Sequence, residues 1–522
     1  MTAIKKIVIA GGSLEGWMSA AYLNKALNSE NRRVEITLIE SAVSTPIEVG
    51  ESTTLMIHGF FNFLGIPEQA WMEACQATYR IAKQFKNWYD NGPEDSYWHT
   101  IGSINSNGGA RFSLIHHWLH NWKTGKTDLS FAKAVSESVY LCESNKCPVK
   151  AFSETPIKGV PYSYHIDGEK LVAFLKDLSL ASGVVYESQI MDVVKKDTNG
   201  YIAFLRTKEG TEITGDLFLD CTGSESLLLE KEMGALFHSY ADALICDKIL
   251  TTTVDYTEDD PYNEKSEGLK PYTTATAMDA GWSWKIPLIT RSAYGYVYSS
   301  AHVTDDEAEE SLRAILPEKS AQSEIHSLPF RTGTMDKHWI KNCIGVGRST
   351  GFIEPMESTN LALIQSALQN LLFHFPNPSF PDFRIDGFNS YMSALKEEIY
   401  DFIVLHYTLT KREDTSFWKS VRNDIKVPSA VTEKLLVWKD HWQEFVKNNS
   451  FFGVYNYVSI LTGMNHLPEK SHDFLEYYMI EDTFQRFQKV MIMGQNMVNQ
   501  LDSQAAYFKK IKRIKEYQNR AF

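Results

Sequence analysis

The first forty residues restrict the fold more than any other part of the chain. They read KKIVIAGG, then SLEGWMSAAYLNKAL, then VEITLIES. The opening run is apolar and β-branched without polar alternation, which suits a strand covered on both faces in a parallel sheet. After the glycines, Met18, Ala21, Tyr22 and Leu27 recur at helical spacing. The pattern predicts a strand-helix-strand unit over residues 5–40, and with it an α/β fold.

Further strands are expected at residues 202–205 and 216–220, more than a hundred residues downstream. The opening module is therefore expected to be discontinuous over residues 1–375, with insertions at about 75–165 and 245–330 on the substrate side. From Pro376 onward helical periodicity dominates, which predicts a mainly α-helical C-terminal region over 376–522 covering the substrate.

Composition excludes several classes. The 522 residues carry 52 basic and 65 acidic side chains, a formal charge of −13, with 43% hydrophobic residues. That balance is globular and argues against nucleic acid as a partner, because duplex binding draws on clustered Lys and Arg. No apolar run reaches the roughly 18 residues of a spanning helix, and the N-terminus passes from two lysines straight into the strand-like run, unlike a signal peptide. Six cysteines lie scattered without a CxxC pair, so buried reduced thiols, no metal and a cytoplasmic protein are expected.

Gly11, Gly12, Ser13 and Gly16 follow G-x-G-x-x-G except that Ser13 stands at the second glycine. Gly11 permits the tight turn, Gly16 lets helix pack on strand, and the helix start, with Trp17 next, presents unpaired N–H groups to a diphosphate. Glu40 ends the second strand and is placed to accept a ribose hydroxyl, which favours FAD or NAD over a 2′-phosphorylated cofactor. Downstream come VGEST (Val49 to Thr53) and a second glycine-rich turn, IGVGRSTGFIEPMESTNLALIQSAL, again leading into a helix. Two helix N-termini are then available for a diphosphate and for a flavin edge or small anion.

At Gly281 to Pro287 the chain reads GWSWKIP, a W-x-W-x-I-P pattern. With it, GESTTLMIHGFFNFLGI, YHIDGEKLVAFL, DLFLDCTG, GYVYSS, NCIGVGRSTGFIEPMEST, HYTLTKREDTSFW and ILTGMNHLP resemble, in order and spacing, the blocks of flavin-dependent halogenases of the tryptophan-halogenase type, from residue 5 to about 470. The resemblance implies an FAD-binding Rossmann-like module of the p-hydroxybenzoate-hydroxylase kind. It implies FAD used as FADH2 from a separate flavin reductase, a halide ion such as chloride or bromide, and a small aromatic substrate. In such enzymes hypohalous acid (HOX) made at the flavin passes through a tunnel to a lysine beside the substrate, where a glutamate helps polarise the halogen.

Carried over by position, that glutamate is Glu357, with Ser358 beside it. Gly50, Glu51, Ser52, Thr53, Gly347 and Pro355 join the first turn in holding the cofactor. Trp282, Trp284, Ile286 and Pro287 keep substrate and flavin apart. Besides Ser13, three positions depart from the family pattern. The halide amides fall on Thr359 and Asn360 where the family has Thr-Gly, and Asn is the non-glycine residue that best accepts a positive φ. Arg80 stands at the lysine position, in Ala77–Thr78–Tyr79–Arg80. A guanidinium stays protonated and can only hydrogen-bond HOX, so Lys83 is the nearest substitute amine; on a helix it would share Arg80's face, on a strand it would not. Tyr457 replaces a tryptophan in the substrate pocket, which favours an indole, phenol or related ring over free tryptophan. Trp88, Trp98, Trp118, Trp418, Trp438 and Trp442 are further candidates to line or support that pocket. Two alternatives stay open at this point: a halogenase-like flavin monooxygenase that hydroxylates, and a catalytically silent flavin-binding protein.

Overall fold

A computed structural model describes residues 3–31, 33–40, 50–102, 114–150, 160–256, 269–317, 320, 323–439, 450–471, 473, 475 and 481–520. Val49 and Trp442 lie outside the described residues. The chain divides into two compact units, one made of Met1–Ala77, Ile166–Asp247 and Leu328–Tyr400, the other of Thr78–His165, Lys248–Ser327 and Asp401–Phe522.

The first unit is built on the expected strand-helix-strand opening. Strand Lys6–Ala10, helix Leu14–Asn28 and strand Glu35–Glu40 follow one another, and the two strands pair in parallel. Ile7, Val8, Ile9, Leu38 and Ile39 are buried, which is why the opening run carries no polar alternation. The full sheet runs in the order Trp339–Ile340, Cys343–Gly345, Leu217–Asp220, Lys6–Ala10, Glu35–Glu40, Val185–Ser188. All its neighbours are parallel except the first pair. Chain order reverses beside Lys6–Ala10: the next strands in sequence extend the sheet on one side, and those after residue 200 extend it on the other. Such a reversal opens a crevice at the carboxyl ends of the strands. The segment at 202–205 is a strand, Ile202–Thr207, but it sits in a separate three-stranded antiparallel sheet.

In the second unit, strands Lys248–Asp255, Arg291–Tyr298, Gly281–Pro287 and Tyr272–Met278 are successive antiparallel neighbours. Ala82–Lys86 adds in parallel to Tyr272–Met278, and Ser96–Thr100 closes that side. Every regular element described from residue 376 on is a helix. Trp88 lies among Trp282, Tyr407 and Trp418, with ring centroids 5.7 to 6.4 Å away. Its indole donates to Ala275 O, and that of Trp418 to Met278 O. These two tryptophans are fully buried core, satisfied by strand backbone.

All six cysteines are free and buried. Among the described residues, no helix is long and apolar enough to cross a membrane, and no cluster of His, Cys, Asp and Glu is placed to hold a metal ion.

Trp284 pairs across strands with Gly295, and a Cβ there would run into its indole. Gly295→Ala is expected to push the indole off this seat and cost about 1–3 kcal/mol by overpacking. A lowered melting temperature with a shifted tryptophan emission is the expected result.

Candidate functional site

Three chain turns meet at one end of the first unit's sheet because of strand register. Ala10 lies opposite Asp220, and Asp220 opposite Gly345, so the turns that follow each strand start side by side. Glycine makes this approach possible. Gly11 has φ +108°, and a Cβ there would strike the carbonyl of Cys221; a Cβ on Gly16 would strike the carbonyl of Gly11. A side chain at Gly12 would displace the carboxylate of Glu40, and one at Gly347 (φ +66°) would collide with Glu15. Backbone without side chains at a helix start, under an acidic strand end, is the cradle a dinucleotide needs. The residues therefore fit FAD.

Ser13 does not project into this cradle. Its hydroxyl donates to Glu15 Oε2 at 2.5 Å and lies 3.4 Å from the Cys221 carbonyl. Glu15, the second residue of the helix, is wholly buried, and Arg348 of the second glycine turn donates to it through Nε at 2.7 Å and NH2 at 3.4 Å. Burial pushes this carboxyl up, but the Arg348 guanidinium and the Ser13 hydroxyl outweigh that and hold it below the usual carboxylate range. Glu40 accepts from Tyr186 at 3.1 Å and pairs with Lys176 at 3.5 Å, both through Oε2. Lys176 in turn sits over the Tyr186 ring at 4.0 Å and the Trp17 ring at 5.3 Å.

The segment after the second turn is tied to the strand Glu51–Ser52. Ser358 donates to Ser52 Oγ at 3.0 Å, and Asn360 Nδ2 donates to Glu51 Oε1 at 3.2 Å. Glu357 ends a short 3-10 turn, Pro355–Glu357, and is 4% exposed. The expectation for Asn360 needs correction. The left-handed residue is Ser358 (φ 62°), while Asn360 is the first residue of helix Asn360–Phe373, where ordinary helical φ accepts any side chain. Asn at this place supplies a side-chain bond to Glu51 instead of backbone freedom. Thr359 precedes the helix without a side-chain cap bond, so the first-turn N–H groups are not taken up by a capping hydroxyl.

Lys396 also binds the second turn. Fully buried, it donates to Thr350 O (2.6 Å), Thr350 Oγ1 (2.8 Å) and Gly351 O (3.2 Å). Burial pulls its ammonium down to about 7.

In the second unit the substitute-lysine geometry is a strand one. Arg80 ends Thr78–Arg80, and Lys83 lies in Ala82–Lys86, so the helical premise for a shared face fails. The two cations are nonetheless brought to one group, because Ile81 breaks the chain between two strands of different sheets. Both act on His165, whose imidazole is held neutral first by burial and then by Arg80 and Lys83. Thr78 uses its hydroxyl proton on Pro287 O, so it accepts from His165 Nδ1 at 3.2 Å, and Nε2 accepts from Thr273 at 2.9 Å. Lys83, 2% exposed, lies between Thr273 and His99 in the sheet register. His99 Nε2 accepts from Asn456 at 2.9 Å, next to Tyr457, whose ring meets Phe402 edge-on at 4.9 Å and Trp438 at 5.5 Å. Trp282 is buried in the same strand in which Trp284 covers Gly295.

Glu15, Arg348, Lys396 and His165 are not legible as site residues in the sequence. The only signal was one acid and one base inside two glycine-rich turns; Lys396 and His165 acquire their partners through tertiary packing alone.

The Lys396 ammonium predicts a pH effect with a definite sign. Between about 7 and the ordinary lysine value near 10, the unfolded chain holds a proton that the folded one lacks, so stability rises with pH. The melting temperature of the wild type is expected to climb relative to Lys396→Met between pH 7.5 and 9.5; parallel curves would contradict the assignment.

Residues 6–479 match the sequence profile of the tryptophan halogenase family. The chain is 33% identical to the tryptophan 6-halogenase SttH of Streptomyces toxytricini over 96% of its own length and 97% of that protein. It is 31% identical to the tryptophan 7-halogenase RebH of Lentzea aerocolonigenes over 89% and 90% of the two chains. The crystal structure of SttH superposes with a TM-score of 0.89, covering 97% of this chain and 99% of that one at 34% identity. That of BrvH, a flavin-dependent halogenase from Brevundimonas sp. BAL3, gives 0.87 over 97% and 99% at 28% identity. With its glycine cradle, its W-x-W-x-I-P strand and this likeness along nearly its whole length, the chain belongs to the tryptophan halogenase family and is a flavin-dependent halogenase.

Proposed function

We propose that the protein halogenates an electron-rich aromatic small molecule, an indole, phenol or related ring, using FADH2 from a separate flavin reductase. Bound FADH2 supplies two electrons, which with O2, a halide ion and a proton give oxidised FAD, HOX and water. Substitution of one ring hydrogen by the halogen of HOX then releases a second water. The observation that carries this reading is the pair of bonds Ser358–Ser52 and Asn360–Glu51, which fastens the Glu357 segment to the strand expected to border the flavin.

In this scheme Gly11, Gly12, Ser13, Gly16 and Trp17 hold the diphosphate end, Glu40 the ribose, and Gly50, Glu51, Ser52, Thr53, Gly347 and Pro355 the flavin end. Halide lies at the amides of Thr359 and Asn360, where the positive end of a 14-residue helix favours an anion. HOX travels through a tunnel to the arene, where Glu357 polarises it and takes the ring proton. Arg80, permanently charged, holds HOX through hydrogen bonds, and Lys83 is the amine that orients it or carries the halogen. Trp282, Trp284, Ile286 and Pro287 separate substrate from flavin, and Tyr457 stands at the substrate ring. Tyr457 in place of tryptophan supports a ring other than free tryptophan.

Purified protein, a flavin reductase, NADH, FAD and bromide, offered a panel of indoles and phenols, should give a product with the bromine isotope doublet. A gain of one oxygen atom without halide would instead indicate a hydroxylase, and bound flavin without product a silent protein. Glu357→Gln is expected to lower product formation by about 10²-fold or more with FAD binding unchanged. Lys83→Ala and Arg80→Ala should each reduce it; full activity in Lys83→Ala with loss in Arg80→Ala would remove Lys83 from the mechanism.

A further inference from the structure

We infer that Arg348 is a cofactor-positioning residue, whose task is to neutralise the Glu15 carboxylate beneath the diphosphate cradle so that FAD can bind there. The inference rests on the reading of the first glycine turn as the diphosphate site and adds two residues to it. Glu15 is the second residue of the helix whose N-terminus faces that site, and it is wholly buried. A carboxylate at this place opposes the helix field that attracts a diphosphate, and low surrounding polarisability lengthens its reach. It is tolerated because the guanidinium of Arg348 covers it with two bonds, at 2.7 and 3.4 Å, and Ser13 with a third.

The placement of the pair is specific to the two turns. Gly347 adjoins Arg348, and only the lack of a Cβ at Gly347 lets the Glu15 side chain pass beneath the second turn. The Arg348 side chain is 34% exposed while its partner carboxylate is 1% exposed, so the pair is open on the cation's side alone. An ion pair serving stability alone would leave cofactor affinity indifferent to which charge is removed. A charge-balancing pair makes the two removals unequal, because loss of the arginine leaves a buried anion beside the diphosphate and loss of the acid does not.

The test measures FAD dissociation constants by quenching of flavin fluorescence, with melting temperatures alongside, for the wild type, R348Q, R348K, E15Q and the E15Q/R348Q double variant. The wild type must bind FAD, since failure there would defeat the diphosphate reading itself. R348Q is expected to bind about tenfold more weakly or worse, with R348K within about threefold of the wild type. E15Q should bind at least as tightly as the wild type, and E15Q/R348Q should return to within about threefold of it. If R348Q does not fold, recovery of both folding and FAD affinity in the double variant carries the same information. Wild-type affinity in R348Q, or a double variant as weak as R348Q, would overturn the inference.

Discussion

The register that sets Ala10, Asp220 and Gly345 side by side governs the first unit's chemistry. Three chain turns then leave adjacent strands at one level, close enough that a single methyl group on Gly11 or Gly347 would force them apart. The glycines set how closely the turns approach, and the cofactor cradle follows from that. Charge enters the same small volume through Glu15 and Arg348, and through Glu40 with Lys176. Lys396 also holds Thr350 and Gly351 of the second turn.

The second unit brings buried cations together by a different route. Arg80 and Lys83 belong to two strands of separate sheets, and both bear on one neutral imidazole, His165, whose hydrogen bonds run to Thr78, Thr273 and onward to Pro287. Two positive groups at this depth are costly unless each is supplied with acceptors. Such arrangements are typical of sites at which a charged or polarised reactant is handled. Lys83, His99, Asn456 and Tyr457 are linked in turn by sheet register, a hydrogen bond and chain adjacency, and the Tyr457 ring packs on Phe402 and Trp438.

What the sequence revealed depended on whether the determinants were local. The opening strand, helix and strand were legible because apolar runs and glycine positions are local signals, and so was the helical character of the last third. The strand at residues 202–207 was legible as a strand but not as a member of a separate antiparallel sheet, since a run of this length carries no label for its partner. At Asn360 the residue type suggested a positive φ, yet the left-handed turn falls two residues earlier at Ser358, and Asn360 contributes its amide side chain. The Arg80–Lys83 spacing was ambiguous for a physical reason: three residues mean one face on a helix and opposite faces on a strand, and a break at Ile81 defeats both rules. Glu15 and Arg348, 333 positions apart, meet only through strand register.

Halide chemistry stands or falls with the segment from Glu357 to Asn360. A crystal of the protein soaked with FAD and bromide, recorded at the bromine absorption edge, addresses it directly. An anomalous peak within contact of the Thr359 and Asn360 amides, beside bound flavin, is expected. Flavin bound in its cradle with bromide absent from those amides would contradict the assignment.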